Sequence, residues 1–401
     1  MADTTSKTLS ERKLLGIAGL GWMFDAMDVG MLSFIVVALA AEWNLTSESV
    51  GWIGSVNSIG MAAGALLFGV LADRIGRKSV FIVTLLLFSI GSGLSAAVSS
   101  FALFLILRFL IGMGLGGELP VASTLVSESV AAEKRGRVVV LLESFWAAGW
   151  IIAALISYFV IPEYGWRIAL LLSAVPALYA LYLRLNLPDS PRFTKKKKTS
   201  VLKNMQKVWA KEHSRNTAML WILWFCVVFS YYGMFLWLPS VMSMKGFSLI
   251  KSFQYVLIMT LAQLPGYFTA AWFIEKIGRK FVLVTYLIGT AISAYFFGSA
   301  ESLPMLITSG MFLSFFNLGA WGALYAYTPE QYPDAIRGTG AGMAAAIGRV
   351  GGILGPLLLG YLVARDISIS AIFTIFTVAV LIGAFSVLLL GKETKNTELA
   401  E

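Results

Sequence analysis

Six ionisable residues stand inside segments that are otherwise apolar, and they offer the chemistry of this chain. They are four acids and two arginines: Asp25, Asp28, Arg108, Glu118, Glu143 and Arg349. A charge at bilayer depth costs about 2.5–3.5 kcal/mol on insertion scales, so such residues are expected to be paired, hydrated or functional. If all four acids were ionised, two negative charges would be in excess, which is costly away from water. Asp25, Asp28, Glu118 and Glu143 are therefore candidates for proton coupling.

The segments that hold these residues are membrane spans by composition. The chain has 401 residues, of which 58% are hydrophobic and 13% charged, whereas a soluble domain carries about 25% charged residues. A spanning helix needs about 20 apolar residues, and twelve spans fit the length. We predict an all-α integral membrane protein with spans at 14–41, 50–72, 79–98, 101–127, 138–161, 166–184, 218–244, 252–274, 281–298, 303–328, 338–363 and 368–391.

The basic residues predict the orientation of these spans. Of the 31 Lys and Arg, two lie inside spans and four lie in alternate loops. The others lie on the opposite side, which the positive-inside rule identifies as the cytoplasm. We therefore expect cytoplasmic termini in the cell (inner) membrane. The basic stretch 192–215 is interpreted as a topology-setting linker with a surface helix near anionic lipid. It lacks the aromatic platform of a nucleic-acid site, so no nucleic-acid partner is expected.

The two halves of the chain repeat at an offset of 202 residues. The sequence Gly-Arg-Lys at 76–78 returns at 278–280, and Gly149 returns as Gly351. The register holds across more than 70 residues. It predicts two pseudo-symmetric six-helix bundles in parallel arrangement. We place them at 1–184 and 218–401, joined by a basic cytoplasmic linker at 185–217.

Charged loop residues that recur in this repeat could form a conformational latch between the bundles, present in one state and broken in the other. The candidates are Asp73, Arg74, Arg77, Glu128, Arg135, Glu275, Arg279, Glu330 and Arg337. The alternative is that the basic residues only hold the loops in the cytoplasm. Recurrence of an acid at the same place, at Asp73 and Glu275, favours the latch.

The depths at which two charged residues lie in the membrane predict one buried ion pair. At 1.5 Å rise per residue, Asp28 lies about 21 Å from the inner end of span 1, and Arg108 lies about 10 Å from the outer end of span 4. In a hydrocarbon core about 30 Å thick, the two residues meet at similar depth. We predict that they pair, either as a coupling pair or as a static buried ion pair.

At the level of motifs, the chain resembles the major facilitator superfamily over essentially its whole length. The run 69–78 is similar to the loop signature between spans 2 and 3, and 188–192 resembles the sugar-porter-like branch. Four further runs resemble the bacterial niacin transporters, which are related to the synaptic vesicle glycoprotein 2 group: 24–30, 116–120, 231–235 and 348–352. The resemblance implies the major facilitator fold, a central site and uptake of nicotinate, with nicotinamide as a second candidate. We expect protons as coupling ions and a monomer.

The resemblance also assigns roles to some of the buried charges. In sugar porters, an acid at the place of Asp28 and an arginine at the place of Arg108 form a coupling pair. Glu143 falls where that branch has a substrate-contacting glutamine, and Asp25 falls at another contact position. The acids in these places argue against a hexose as the substrate.

Arg349 has two open interpretations. It and Asp25 each lie about 16 Å from the inner membrane boundary, near the midplane, where this fold places its substrate. A guanidinium offers a planar fork that matches a carboxylate in two hydrogen bonds. Arg349 could therefore bind the nicotinate carboxylate. The alternative is a permanent pair with Asp25 or Glu143 and no ligand role.

A flat aromatic ligand needs apolar faces and a few polar groups. Candidates near the midplane are Trp146, Trp150, Tyr231, Tyr232, Trp237, Trp321 and Tyr325. Gln263 and Asn317 lie at compatible depth and could hydrogen-bond the pyridine nitrogen. The alternative for each aromatic residue is packing within the bundle or anchoring at the interface.

Other function classes remain as alternatives or are excluded. The chain could import another small aromatic or organic ion, export drugs by proton antiport, or sense a nutrient without transport. With one cysteine and one histidine, it has no constellation for an enzyme or a metal site, and no cofactor is expected. No phosphate-binding loop of an ATPase is present, so primary active transport is excluded.

Overall fold

The computed structural model describes residues 11–75, 77–129, 135–176, 179, 182 and 201–395, and side chains at 72–78 and 117–136, among others, lie outside its description. Every regular element in these ranges is an α-helix. The helices of the first half are α1 (Glu11–Trp43), α2 (Ser47–Ile75), α3 (Arg77–Ser95), α4 (Phe101–Ser129), α5 (Arg135–Tyr164) and α6 (Trp166–Leu172). Those of the second half are α7 (Val201–Val208), α8 (Ser214–Phe235), α9 (Leu238–Met244), α10 (Leu249–Leu261), α11 (Gln263–Ile277), α12 (Arg279–Gly298), α13 (Leu303–Glu330), α14 (Asp334–Val363) and α15 (Ile369–Leu390).

The helices match the predicted spans in order. Nine segments of the described ranges are long and apolar enough to cross a membrane, and α3 and α4 each contribute a shorter apolar helix. The sixth predicted span is described at its start only, as α6 and the turn after it. The all-helical membrane fold predicted from the sequence is therefore confirmed.

The two halves use the same helix pairings. In the first half α1 packs on α5, α2 on α4 and α3 on α4. At the repeat offset these pairs become α8 on α14, α11 on α13 and α12 on α13, and all three are present. The halves meet through α2 against α14 and α5 against α10 and α11. These interfaces are also equivalent in the repeat, so each bundle uses the same pair of faces.

Close helix approach at glycine is repeated as well. A Cβ at Gly64 would collide with the carbonyl of Met113, and a Cβ at Gly266 would collide with the carbonyl of Phe315. The second pair is the first shifted by 202 residues. Since only glycine lets the two backbones approach this closely, the repeated sequence reproduces the same packing distance in each bundle.

The predicted span at 218–244 is broken, which corrects it, and the span at 252–274, which lies within the apolar segment Leu249–Ile277, has a turn at Ala262. The break after Phe235 separates α8 from α9, and the break after Leu261 separates α10 from α11. Pro239 and Pro265 stand four residues after these ends. A proline ring clashes with the carbonyl four residues earlier and provides no N–H for it. Each helix therefore ends at the residue whose carbonyl loses its partner.

The predicted linker is described from residue 201 onward. It contains the expected surface helix as α7, which packs against α14. Val208 is buried, and its carbonyl accepts a hydrogen bond from Thr217 Oγ1 at 2.7 Å. The boundaries at 184 and 218 stay a prediction, because residues 183–200 lie outside the described ranges.

Three of the nine predicted latch residues, Glu275, Arg279 and Glu330, form a network inside the C-terminal bundle. Arg279 Nη1 lies 3.1 Å from Glu275 Oε2, and Arg279 Nε lies 3.3 Å from Glu330 Oε2. These residues connect α11, α12 and α13, which all belong to one bundle. Arg337 Nε donates to the carbonyls of Pro329 and Tyr332 at the end of α13. The side chains of the other candidates lie outside the described part: Asp73, Arg74, Arg77, Glu128 and Arg135.

Glu393, which the sequence analysis did not single out, completes this network. Its carboxylate accepts the backbone N–H groups of Arg279 at 2.9 Å and Lys280 at 3.1 Å. These are the first residues of α12, where unpaired N–H groups and the helix dipole favour an anion. Gly278 precedes them with a φ of +101°, and a Cβ there would collide with the Glu393 carboxylate. The segment after α15 thus caps the helix that begins at the repeated Gly-Arg-Lys motif.

Replacing Glu393 by Ala should destabilise the protein by about 1–2 kcal/mol, because the N-terminus of α12 loses its anionic cap. Thermal unfolding of the detergent-purified protein would measure this as a lower Tm. Glu212→Ala is the matched control, because Glu212 is exposed. Equal Tm values for the two variants would contradict the capping role.

Candidate functional site

Asp28 and Arg108 form a fully buried ion pair. Arg108 Nη1 lies 3.3 Å from Asp28 Oδ2, and the side chains are 0% and 1% exposed. Asp28 comes from α1 and Arg108 from α4, so the pair joins two helices of the N-terminal bundle. The contact agrees with the pairing predicted from depth. Whether the pair couples transport to protons stays a prediction.

Each member of this pair has a further contact. Asp28 Oδ1 accepts a hydrogen bond from Ser92 Oγ on α3. The Arg108 guanidinium lies over the ring of Phe104, 5.4 Å from its centroid. The Nε and Nη2 atoms of Arg108 have no hydrogen-bond partner within the described part of the chain. Residues of three helices, α1, α3 and α4, therefore hold the pair in place. Two of the Arg108 nitrogen atoms still have no hydrogen bond to the described residues.

Glu143 is buried on α5 and is bound by an indole rather than by an arginine. Trp22 Nε1, on α1, donates to Glu143 Oε2 at 3.1 Å. The indole of Trp321, on α13 of the other bundle, is close enough to interact with the same carboxylate. Its N–H forms no hydrogen bond with any of the described residues. Glu143 therefore stands where the two bundles meet.

An aromatic cluster surrounds Glu143 and includes most of the predicted lining residues. Trp146 Nε1 donates to the Tyr231 hydroxyl at 2.7 Å. The Tyr231 ring lies 4.8 Å from that of Trp321 and 5.2 Å from that of Tyr232. Tyr325 follows at 5.8 Å from Trp321. The cluster crosses the bundle interface, because Trp146 belongs to the first half, whereas Tyr231 and Trp321 belong to the second.

Trp146 and Trp321 present nearly parallel faces to each other. Their ring centroids are 6.4 Å apart, and their planes are inclined by 20°. Both side chains are at most 2% exposed. Trp150 contacts the edge of the same cluster, with its ring 6.5 Å from Tyr231. Trp237 is buried between α8 and α9, and no ring contact of the described residues includes it. The structure therefore does not bring Trp237 into the cluster.

Arg349 lies beside this cluster with its guanidinium only partly buried. Its Nη1 is 3.7 Å from the sulfur of Met61 on α2. Among the described residues, the ion pairs within 4.0 Å do not include Arg349. A permanent pair with Asp25 or Glu143, the alternative considered from the sequence, is therefore not observed in the described part.

Asp25 and Arg349 both lie near the same residue, Tyr232. The side chain of Asp25 is 1% exposed. Tyr232 lies within electrostatic reach of Asp25 and also interacts with Arg349. The arginine, the tyrosine hydroxyl and the carboxylate thus come from α14, α8 and α1, which are helices of both halves. The side chain of the fourth predicted acid, Glu118, lies outside the described part.

Gln263 and Asn317, predicted as polar contacts, are both buried, at 0% and 1% exposure. Both amide atoms of Gln263 and the Oδ1 atom of Asn317 have no hydrogen-bond partner within the described part. Tyr267, one turn after Gln263, is also buried with an unpartnered hydroxyl. Tyr267 was not predicted, although its spacing of four residues from Gln263 places both on one helix face.

Two other site residues, Trp22 and Ser92, were not predicted, because little in the sequence marks them as functional. Trp22 stands three residues before Asp25, which puts both on one face of α1. Ser92 is a small hydroxyl in an apolar span, and nothing in its spacing marks it. In both cases the partner is more than 60 positions away along the chain. Only helix packing decides such contacts.

Comparison with known proteins bears on this arrangement. The family model described as Major Facilitator Superfamily matches residues 18–269 and 255–401. A Bacillus subtilis protein named as a niacin/nicotinamide transporter, NiaP, is 71% identical over 98% of each chain. The niacin transporter NiaP of Acinetobacter baylyi is 46% identical over 96% of this chain and 95% of its own.

More distant relatives extend the same group. The synaptic vesicle 2-related protein of Bos taurus is 28% identical and covers 97% of this chain and 79% of its own. Among solved structures, a D-xylose-proton symporter superposes with a TM-score of 0.80 at 20% identity, over 97% of this chain and 99% of that chain. At this identity the superposition describes the fold alone.

Asp28→Asn should destabilise the protein strongly, by about 3–5 kcal/mol, because Arg108 would remain buried without its counter-charge. The double variant Asp28→Asn, Arg108→Gln should recover part of this loss. Thermal unfolding of the purified variants would measure both effects. The control is Glu48→Gln, which removes an exposed ion pair with Arg365 and should cost less than about 1 kcal/mol. If Asp28→Asn lost no more stability than the control, the buried pair would not be structural.

Proposed function

Because the chain belongs to the major facilitator superfamily, we propose that it imports niacin (nicotinate) by alternating access. The two bundles rock against each other around a central site. Import is driven by proton symport or by trapping inside the cell. We further propose that nicotinamide is a second substrate, that the protein is a monomer, and that it spans the cell (inner) membrane with both termini in the cytoplasm.

One observation supports this function most directly: a partly buried guanidinium lies next to an aromatic cluster at the bundle interface. Arg349 has no ion pair among the described acids, so its hydrogen-bonding fork is available for a carboxylate. The Tyr232 hydroxyl beside it could add a further hydrogen bond. Nicotinate consists of one carboxylate on one flat ring, and these neighbours match both parts.

The flat ring of the substrate is matched by the indole faces of the aromatic cluster. Trp146 and Trp321 stand 6.4 Å apart, which is the distance of two rings in contact with each other, since such rings prefer centroids about 4.5–7 Å apart. A substrate ring would therefore enter between them only when the two bundles move apart. Since one indole belongs to each bundle, the bound ring would contact both halves, which links binding to the movement that alternating access requires.

The surroundings of Glu143 suit it to proton coupling better than those of Asp28. Glu143 is 1% exposed and bonded to Trp22 without an arginine among its hydrogen-bond partners in the described part. Burial without a counter-charge favours the protonated acid. Asp28 instead has the Arg108 guanidinium as its counter-charge. A proton arriving at Glu143 would remove a negative charge beside the site where the nicotinate anion binds.

The test of the proposed function is uptake of labelled nicotinate into proteoliposomes, with and without an inward proton gradient. Stimulation by the gradient is the result expected for symport, and uptake that ignores the gradient would make the protein a facilitator. The absence of uptake and of counterflow in a folded preparation would refute import of nicotinate. In that case labelled organic cations, assayed for proton-driven efflux, would test the drug exporter.

Arg349→Lys should raise the apparent KM for nicotinate about tenfold, because an ammonium cannot form the paired hydrogen bonds of the guanidinium. Uptake at a range of nicotinate concentrations would measure it. Arg365→Lys is the control, because Arg365 is exposed and pairs with the exposed Glu48. An unchanged KM in Arg349→Lys would exclude bidentate binding of the carboxylate.

Glu143→Gln should abolish stimulation by the proton gradient and leave counterflow of nicotinate intact. The amide keeps an oxygen that can accept the Trp22 hydrogen bond but cannot exchange a proton. Measuring gradient-driven uptake and counterflow on the same proteoliposomes separates the two effects. If Glu143→Gln still responds to the gradient as the native protein does, proton coupling lies with another acid.

A further inference from the structure

A set of buried polar atoms with no hydrogen-bond partner among the described residues lies on α11 and α13. Gln263 stands directly after the break that Pro265 imposes, and its side chain is 0% exposed. Neither its Oε1 nor its Nε2 has a hydrogen-bond partner within the described part of the chain. A buried amide left in this way costs about 1–3 kcal/mol. Such a residue is expected to have a use that offsets its cost.

Three neighbours share this property. The hydroxyl of Tyr267, the hydroxyl of Ser314 and the Oδ1 atom of Asn317 are buried and have no hydrogen-bond partner among the described residues. Gln263 and Tyr267 are one turn apart on α11, and Ser314 and Asn317 are three residues apart on α13. Residues at these spacings share a helix face. We name these four residues the neutral subsite.

Packing brings the two faces to the same level. A Cβ at Gly266 would collide with the carbonyl of Phe315, and a Cβ at Gly319 would lie 2.9 Å from the Gly266 carbonyl. Gly266 therefore lies between residues 315 and 319 of α13. Since α11 and α13 both run from the outer side to the inner side in the predicted topology, Gln263 lies near the level of Ser314 and Asn317.

The neutral subsite adjoins the aromatic cluster. Tyr267 lies within electrostatic reach of Glu143, Tyr231 and Tyr325, and its ring would contact a Cβ placed at Gly322. Asn317 is one turn before Trp321 on α13, so the two side chains are neighbours on that helix. A ring held against Trp321 can therefore extend an attached group to the neutral subsite.

The chemistry of these atoms identifies the group that they suit. Gln263 Oε1 and Asn317 Oδ1 can only accept hydrogen bonds, and Gln263 Nε2 can only donate them. A carboxylate has no donor for the two oxygens. A pyridine nitrogen has none either and could use only one of the donors. A primary carboxamide carries two N–H donors and one acceptor oxygen, and it matches all three atoms without a charge.

We propose that the neutral subsite binds the carboxamide of a pyridine carboxamide such as nicotinamide, whereas Arg349 binds the carboxylate of nicotinate. The inference rests on the proposed function. It adds that one ring site serves an anionic and a neutral substrate through two separate polar subsites. Each subsite discriminates by its own hydrogen-bonding groups, so the two affinities can be changed independently.

The experiment measures the Kd values of nicotinate and nicotinamide for the purified full-length protein by titration calorimetry. Gln263→Leu should weaken nicotinamide binding about tenfold, because the amide group loses a donor and an acceptor. Nicotinate binding should stay within about twofold of the native value. Arg349→Lys should do the reverse, with nicotinate weakened and nicotinamide nearly unchanged. This double dissociation is the expected result.

Two controls separate recognition from general damage. Gln263→Leu should keep or raise the Tm, because it removes a buried amide that lacks a partner. Ser252→Ala removes another buried hydroxyl that has no partner in the described part, and it should leave both Kd values unchanged. Benzamide, which has the carboxamide but no ring nitrogen, should be weakened by Gln263→Leu as nicotinamide is.

Other outcomes would overturn the inference. Equal weakening of nicotinate and nicotinamide, with benzamide unaffected, would mean that Gln263 contacts the ring nitrogen, as first expected from the sequence. No change in either affinity would mean that the neutral subsite takes no ligand. If the native protein binds nicotinate but not nicotinamide, the inference fails while the proposed function stands. If it binds neither, the proposed function itself fails.

Discussion

The cost of removing charge and unpaired polar groups from water is the constraint on which the rest of this structure depends. A carboxylate or guanidinium at bilayer depth must find a partner, a proton or a ligand. Asp28 and Arg108 meet the requirement by pairing with each other at 3.3 Å. Glu143 accepts a bond from an indole. Arg349 is only partly buried, lies beside Tyr232 and forms no ion pair with a described acid, and for this reason we propose it as the group that binds an anionic substrate.

The same constraint explains why the symmetric scaffold has an asymmetric interior. Glycine contacts and helix pairings recur at the repeat offset, because the helices of both bundles pack against one another in the same arrangement. The buried charges do not recur: Asp28 and Arg108 correspond to Ser230 and Gly310 in the second half. Instead the C-terminal bundle contributes uncharged amides and hydroxyls, and most rings of the aromatic cluster. The buried acids of the first bundle meet Arg349 and the neutral hydrogen-bonding groups of the second across the interface, and this is where we propose that a small aromatic acid or amide binds.

Two prolines interrupt the helices and so help to determine where the buried polar groups lie. Pro239 and Pro265 end α8 and α10 four residues upstream, because the proline ring excludes the helical carbonyl contact. The second break places Gln263 at the first position of a new helix. The charge cluster of Arg279, Glu330 and Glu393 secures the ends of α11, α12 and α13 to one another.

The amino-acid sequence alone determined the number and order of the spans, the internal repeat and the depth of each buried charge. These properties follow from hydropathy and from the constant rise of a helix, which are local. They sufficed to pair Asp28 with Arg108 and to select most of the aromatic cluster. Tertiary structure alone decided that Trp22 bonds Glu143, that Trp237 stands apart from the cluster, that Glu393 caps α12 and that Gln263 has no partner among the residues that the structure describes. Those contacts depend on how each helix is rotated about its axis against neighbours distant in the chain, and local sequence pattern contains no measure of that rotation.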